Sequence, residues 1–389
     1  MSQGLADWAR NARFAGSKDR AFIRGLCLEA LRRWRSFGGA RSARSAVLLT
    51  LRESWAWPSD RIEAAFAGEH GPGALSEGER AARADDVPDL PDLVLAELDD
   101  PVRVSRALAM RAPVDLRANR LKADRAKALK ALRSLGAEAA PLSPIGIRIP
   151  PPDAAEKGPG VTVIPAYGKG WVEVQDEASQ LTVLAAGDLH GAQVLDYCAG
   201  GGGKTLALAA EMKNSGQVFA FDSDAGRVAP IFERLRRAGA RNVQVIPPDE
   251  RDKLASLERR MDLVFVDAPC SGCGTWRRHP DAKWRLTAEH LAARQAEQDR
   301  VLREASRFVK PGGELLFVTC SFLRSENDER IADFLAEEDA FVWQPPLEGA
   351  SESVAKLLAP FVDDGALRLS PWGSSTDGFT LIRLKCRVS

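Results

Sequence analysis

Apolar positions recur at two periods along this chain, and the period changes partway. In GSKDRAFIRGLCLEALRRWRSF, Phe22, Ile23, Leu26, Leu28, Leu31 and Trp34 fall near helical spacing with arginines between them. That spacing predicts an amphipathic helix, capped by Ser17 or Asp19. Residues 1–67 read as helical throughout. Gly, Pro and acids crowd 68–92, the mark of a linker, and a short helix is expected over LVLAELDD. Composition changes at Pro113. VDLRANRL reads as a strand, DRAKALKALRSLG as a helix closed by Gly136, and VTVIPAYGKGWVEVQ as a strand again, with loops at prolines 150–152 and PDAAEKGPG. From Gln193 onward, strand and helix alternate. The strands are QVLDYCA, QVFAFDS, VQVIPP, MDLVFVDAP and GELLFVTCS, with helices between them that include AGRVAPIFERLRRAG and Thr287–Val309, and FTLIRLKCRV closes the chain. This pattern predicts an α/β fold with a doubly wound, mostly parallel sheet. The expected organisation is a helical region over 1–100, a small α+β unit over 101–175 and the α/β domain over 176–389.

Charge changes this picture only locally. The 389 residues carry a formal net charge of zero, so nucleic-acid binding does not follow from the global balance. Residues 1–60 are basic, with Arg10, Arg13, Lys18, Arg20, Arg24, Arg32, Arg33, Arg35, Arg41, Arg44 and Arg52, while 61–100 are acidic, with a run from Asp85 to Asp100. A basic lobe of this kind can dock on phosphates, or it is a solvated helical surface. No apolar run approaches a membrane span, so no membrane association is expected. The start, MSQGLADWARNARFAGSKDR, lacks the apolar core of a secretory signal. Six cysteines in so long a chain do not make a disulfide framework. A cytoplasmic location with reduced thiols is expected.

Candidate chemistry lies at the strand ends. VLDYCAGGGGKT joins a strand to a helix through Gly200, Gly201, Gly202 and Gly203. Glycines let a backbone approach a ligand closely, and the helix start offers free amides. The spacing is not that of a Walker P-loop, because position 198 is Cys rather than Gly. Asp222 ends the second strand, where an acid commonly meets a ribose diol. Asp196 can orient the turn. Asp249, ending the third strand, can meet an adenine edge or be a surface acid. Cys270 and Cys320 each follow an apolar strand, and in a doubly wound order those strands are neighbours, so both thiols emerge together at the carboxyl edge. Cys27, Cys198, Cys273 and Cys386 fit the role of small buried hydrophobes. Cys270 and Cys273 spell CxxC, but no further ligand pair has metal spacing, and no metal is expected. A nucleotide-like cofactor beside nucleophilic thiols points to covalent chemistry on an electrophilic ring, followed by group transfer.

Three blocks carry a family resemblance. Asp196–Thr205, DAPCSGCGTWRRHPD followed by KW, and TCS followed by ENDE resemble the signatures of the Nol/Nop/Sun class of RNA cytosine-5 methyltransferases, with bacterial RsmB-type (Fmu) rRNA enzymes nearest. The resemblance covers about 110–389 and includes the closing DGFTLIRLK, NRLKADRAKALKALRSLGA and WVEVQDEAS; DRAFIRGLCLEALRRWR is similar to a shortened NusB-like helical domain. It implies a Rossmann-like class I methyltransferase domain binding S-adenosyl-L-methionine through Cys198, Ala199, Gly200, Gly201, Gly202, Gly203, Lys204, Asp222, Asp249 and Asp267. It implies that Cys320 is the nucleophile, that Cys270 assists product release with Asp267 and Lys204 beside them, and that Arg277, Arg278, His279, Asp281 and Lys283 face RNA. Two positions depart from the family. Gly201 stands where it usually has Pro, and Pro248 and Glu250 flank Asp249 where it usually has Gly.

The chemistry needs these residue types. Carbon 5 of cytosine is a poor nucleophile until a thiolate adds to carbon 6. An acid at the pairing edge, such as Asp267, meets the charge that develops on the ring. The base must be single-stranded or flipped out, and Trp276 or Trp284 can stack on flanking bases or belong to a core. The expected partner is RNA, most plausibly rRNA, with no obligate protein partner evident. The rival readings are a DNA cytosine-5 methyltransferase, which lacks a second TCS thiol, and a non-catalytic RNA-binding scaffold.

Overall fold

A computed structural model describes residues 2–12, 14–39, 42–153 and 160–388. Arg13 and Arg41 of the basic segment, and 154–159 of the PDAAEKGPG loop, lie outside the described residues. The chain divides into two compact units: Met1–Ala112 with Pro151–Pro159 and Trp276–Leu286, and Pro113–Pro150 with Gly160–Thr275 and Thr287–Ser389.

The first unit is helical. Its longest helix is Ser17–Arg32, followed by Ala43–Leu49, a wide turn over Thr50–Ser54, and Ser59–Ala67. Ser17 is not the cap. The helix starts after Gly16, whose N–H donates to Asp19 Oδ2 at 2.8 Å, because a carboxylate at the third helical position reaches back to the first free amide. Leu48, Leu51, Ile62, Phe66 and Leu75 form the core here, with Phe22, Leu26, Trp55 and Trp57 packed against it. The expected linker is ordered. Ser76 caps a short helix, Glu77–Ala81, and Arg44 donates to Glu79 at 2.5 Å and to the carbonyls of Pro72, Gly73 and Ala74 at 2.7, 3.0 and 3.0 Å. Together with Arg52, which donates to Ala82 O at 2.6 Å, these guanidinium bonds do the work of a regular element. The helix expected at LVLAELDD is only Asp92–Leu95. A longer one, Pro101–Ala109, follows because Asp100 caps it and Pro101 suits its first position.

The second unit holds two sheets. The smaller comprises β1 (Val114–Ala118), β2 (Glu138–Ala139), β3 (Gly146–Ile149) and β4 (Val172–Val174), in the antiparallel order β2-β3-β1-β4. The helix Arg125–Leu132 is capped by Asp124 and ends at Gly136, whose φ of 66° is left-handed. Only Val172–Val174 of VTVIPAYGKGWVEVQ is strand. Pro165 opens a helical turn, Pro165–Gly168, and Val161–Val163 is a short 3-10 turn.

The large sheet contains β5 (Gln193–Asp196), β6 (Gln217–Phe221), β7 (Val243–Ile246), β8 (Met261–Asp267), β9 (Val309–Thr319), β10 (Phe341–Gln344), β11 (Val362–Asp363), β12 (Ala366–Leu369) and β13 (Phe379–Cys386). Strands β7-β6-β5-β8-β9 are parallel; β13 runs antiparallel to β9 and pairs with both β10 and β12. The doubly wound core is as expected, with an antiparallel margin the sequence pattern did not predict. Apolar side chains cover both faces, Val264, Val266, Leu315 and Phe317 on one and Leu263, Phe265, Leu316 and Val318 on the other, as buried parallel strands require. Strand order reverses at β5, between β6 and β8, and open α/β sheets bind ligands at such a switch point.

Candidate active site

The turn after β5 is built from backbone. Gly200 and Gly202 have φ of 49° and 80°, and a Cβ on Gly202 would lie 2.4 Å from Ile231 Cγ1, so no larger residue fits there. Three side chains hold the turn. Asp222, 2% exposed, accepts from Gly200 N at 2.9 Å through Oδ2 and from Asp224 N at 3.0 Å through Oδ1. Arg234 donates to Gly201 O at 2.5 Å and reaches Glu173 of β4 at 3.2 Å; Glu173 also takes Arg237 at 2.6 and 2.7 Å. Thr205 Oγ1 donates to Asp196 Oδ2 at 2.6 Å, and burial pushes the Asp196 carboxyl up to about 7. Sequence reasoning missed Arg234, because nothing in a helix such as IFERLRRA marks which arginine turns inward.

A narrow cleft opens beside the turn, lined by Tyr197, Cys198, Asp222, Arg227, Arg251 and Pro269 among others. It is walled by Glu304, which accepts from Tyr197 Oη at 2.6 Å. Burial, then the Asp222 and Asp267 carboxylates, push the Cys198 thiol up. A bare glycine turn, a helix start and a carboxylate at the second strand end suit a nucleoside-bearing group. Asp249 is exposed, beyond the end of β7.

The two thiols meet. β8 and β9 pair in parallel with Asp267 opposite Val318, and the loops that follow bring Cys270 Sγ to 3.4 Å from Cys320 Sγ. Asp267 is paired with Lys204 Nζ at 2.7 Å, and Lys204 lies 5.0 Å above the Phe379 ring. The contact with Cys320, followed by burial, raises the Cys270 thiol well above its ordinary range. The Cys320 loop is fixed by main chain. Gly274 N donates to Cys320 O at 3.0 Å and Gly378 N to Gly274 O at 2.8 Å, an approach so close that a Cβ on Gly274 would lie 2.1 Å from Gly378 O. Cys273 is structural, buried against Ser321 Oγ at 3.2 Å, with its thiol pushed up to about 12 by burial. Buried Glu326 and Asn327 also support these loops. In the sequence they belong to the ENDE stretch that follows TCS. Among the described residues no group of three or more His, Cys, Asp or Glu side chains is placed to hold a metal.

The segment after Thr275 corrects an expectation. Trp276, Arg277, Asp281 and Lys283 are buried, so they do not form an RNA-facing surface; Trp276, 1% exposed, has no face for a base. Lys283 Nζ donates to Arg32 O at 2.9 Å, Arg32 to Arg277 O at 2.6 Å, and Trp284 Nε1 to Leu31 O at 2.6 Å. Carbonyls of the Ser17–Arg32 helix end draw in Lys283 and Trp284, while Arg32 of the same helix donates the other way. Burial brings the Lys283 ammonium down to about 7. Arg278 is half-buried and His279 exposed.

Five parallel strands, a glycine turn at the switch point and an antiparallel β13 beside β9 define a Rossmann-like class I methyltransferase fold. A solved methyltransferase homologue from Pyrococcus horikoshii has this fold, with a TM-score of 0.58 at 26% identity over 74% of this chain and 91% of that one. Residues 183–385 match the 16S rRNA methyltransferase RsmB/F model, and the chain belongs to that family, as its signature blocks led us to expect. The probable ribosomal RNA small subunit methyltransferase B of Bacillus subtilis is 35% identical over 277 residues, 69% of this chain and 59% of that protein. The corresponding protein of Photorhabdus laumondii is 36% identical over 225 residues, 57% and 51% respectively. The matched part of this chain thus spans little more than half the length of these relatives. Among the described residues no helix is long and apolar enough to cross a membrane.

Proposed function

We propose that this chain is an S-adenosylmethionine-dependent methyltransferase acting on carbon 5 of a cytosine in small-subunit rRNA, with Cys320 as the attacking thiol. The observation that carries the reading is the Cys270–Cys320 approach at 3.4 Å and the Lys204–Asp267 pair at 2.7 Å, at the ends of β8 and β9 and the start of the helix after the glycine turn. Gly200 to Lys204 and Asp222 would hold the cofactor, which supplies an electrophilic methyl group. Asp249, exposed as it is, would contribute only to the rim.

The residues divide the work. The Cys320 thiolate adds to carbon 6 of a base turned out of its stack. Asp267, oriented by Lys204, meets the pairing edge as charge develops on the ring. Once carbon 5 is methylated, its proton leaves and the Cys320–carbon 6 bond breaks. Cys270 assists that release. With its sulfur 3.4 Å from that of Cys320, Cys270 as a thiolate takes the carbon 5 proton, and the electron pair of that C–H bond re-forms the 5,6 double bond as the Cys320 sulfur leaves. The exposed arginines of the first unit would supply phosphate contacts.

Trapping tests this reading. With S-adenosylmethionine and an unmodified 16S rRNA transcript, Cys270→Ala should accumulate a protein–RNA adduct that survives denaturing electrophoresis, and Cys320→Ala should form none and methylate nothing. An adduct in the Cys320 variant would make Cys270 the nucleophile, as in the DNA-enzyme alternative. Full activity in both variants would leave the thiols structural.

A further inference from the structure

The ENDE stretch after the Cys320 strand has no part in the chemistry above, yet its first two residues are among the most deeply buried polar groups in the chain. Glu326 and Asn327 are each 0% exposed. A carboxylate removed from water is strongly destabilising unless strong donors replace its hydration. Both oxygens of Glu326 grip one residue: Oε1 accepts from Ser271 N at 2.6 Å and Oε2 from Ser271 Oγ at 2.5 Å. Ser271 follows Cys270 directly, and Gly272, with φ of 70°, makes the turn that brings it inward. Asn327 grips the other loop. Its Nδ2 donates to Leu323 O at 2.7 Å and to Ser321 O at 3.3 Å, and its Oδ1 accepts from Thr319 Oγ1 at 2.7 Å. Consecutive residues of one turn therefore hold the two cysteine loops separately.

We propose that Glu326 is a positioning residue for the release step: by clamping Ser271 it holds Cys270 against Cys320, whereas Asn327 fixes the Cys320 loop for attack. The proposal rests on the reading of Cys320 as nucleophile and Cys270 as release thiol. A carboxylate is the fitting group because both its oxygens accept hydrogen bonds, and Ser271 presents two donors. A glutamine at 326 would turn an NH2 toward one of them.

The experiment uses the full chain, S-adenosylmethionine and an unmodified 16S rRNA transcript. It measures methyl incorporation in the first turnover, steady-state turnover, KM for RNA and denaturant-resistant adduct. Glu326→Gln should keep the first turnover within about threefold of wild type, lower kcat by about tenfold or more at unchanged KM, and accumulate adduct. Ser271→Ala, which keeps the backbone bond, should do the same more weakly, and it decides the matter should Glu326→Gln fail to fold. Asn327→Ala should slow the first turnover without adduct. Wild-type turnover in both Glu326→Gln and Ser271→Ala would overturn the proposal, as would loss of the first turnover without adduct. If Cys270→Ala traps RNA while neither of these two variants does, the positioning role alone fails. If Cys270→Ala traps nothing, the reading of the thiols fails and the proposal with it.

Discussion

Arg234→Met is the most informative single perturbation of the glycine turn. It keeps the apolar stem and removes the guanidinium that donates to Gly201 O at 2.5 Å. A hydrogen bond from a charged donor contributes about 1.5–3 kcal/mol. The Arg234 side chain is 23% exposed, so solvent screening brings this down to about 1–1.5 kcal/mol. Glu173 is not orphaned by the change, since Arg237 still meets both its oxygens at 2.6 and 2.7 Å. The fold should therefore survive with little change in Tm, and the loss should appear in the turn. Calorimetric titration of S-adenosylmethionine should show binding weakened by about five- to tenfold. Adding Gly201→Pro should recover most of it, because a proline ring restricts the same turn from within. Room for the ring comes from the departed guanidinium, as a Cβ on Gly201 lies 3.3 Å from Arg234 Nη1. An unchanged Kd in Arg234→Met would refute the reasoning, and so would a weakened Kd that the proline leaves untouched.

Asp222→Ala should weaken S-adenosylmethionine binding by about 1.5–3 kcal/mol, since it removes the acceptor of Gly200 N as well as a charged partner for a ribose; an unaltered calorimetric affinity in a folded variant would remove Asp222 from the site. Lys283 gives a pH signature. Its folded pKa of about 7 lies below the ordinary 10.5, so between those values the unfolded chain binds more protons than the folded one. The burial cost is then fully present below pH 7 and fades as pH rises toward 10.5, and stability rises with it. Lys283→Met should flatten this rise in a series of Tm measurements between pH 7 and 10; parallel curves for the two proteins would count against the depressed pKa.

The fold was most legible where local pattern and packing agree. Apolar runs such as LVFVD and LLFVT are strands buried on both faces, and their pairing needed only the usual order of a doubly wound sheet to bring Cys270 beside Cys320. Asp222 and the glycine turn were legible for the same reason, since strand ends in such sheets converge on one edge. Elements decided by distant partners were not. The four residues of β10 and the two of β11 are strands only because β13 and β12 are there to pair with. VTVIPAYGKGWVEVQ read as one strand, whereas Pro165 starts a helical turn within it. Lys283 was expected to face RNA, because nothing in RRHPDAKW tells that a helix-end carbonyl elsewhere will bury it. Arg234 and Glu326 carry charges ordinary for a solvated face, and only the completed fold shows which charges point inward.

The insertion of Trp276–Leu286 into the helical unit also sets a timetable for synthesis. Lys283 and Trp284 bond to Arg32 and Leu31, which precede them by 251 and 253 residues. At the usual pace of about 5–20 residues per second, the first helices wait roughly 10–50 seconds for their last strip of chain. During that interval the Leu31 and Arg32 carbonyls have only water as a partner in place of these donors, and the unit that emerges first is completed late. Cutting the gene has the matching effect. A fragment ending before Trp276 lacks that strip, and one beginning at Pro113 carries Lys283 and Trp284 without the carbonyls they bond. No single break in the linear sequence separates the two units cleanly.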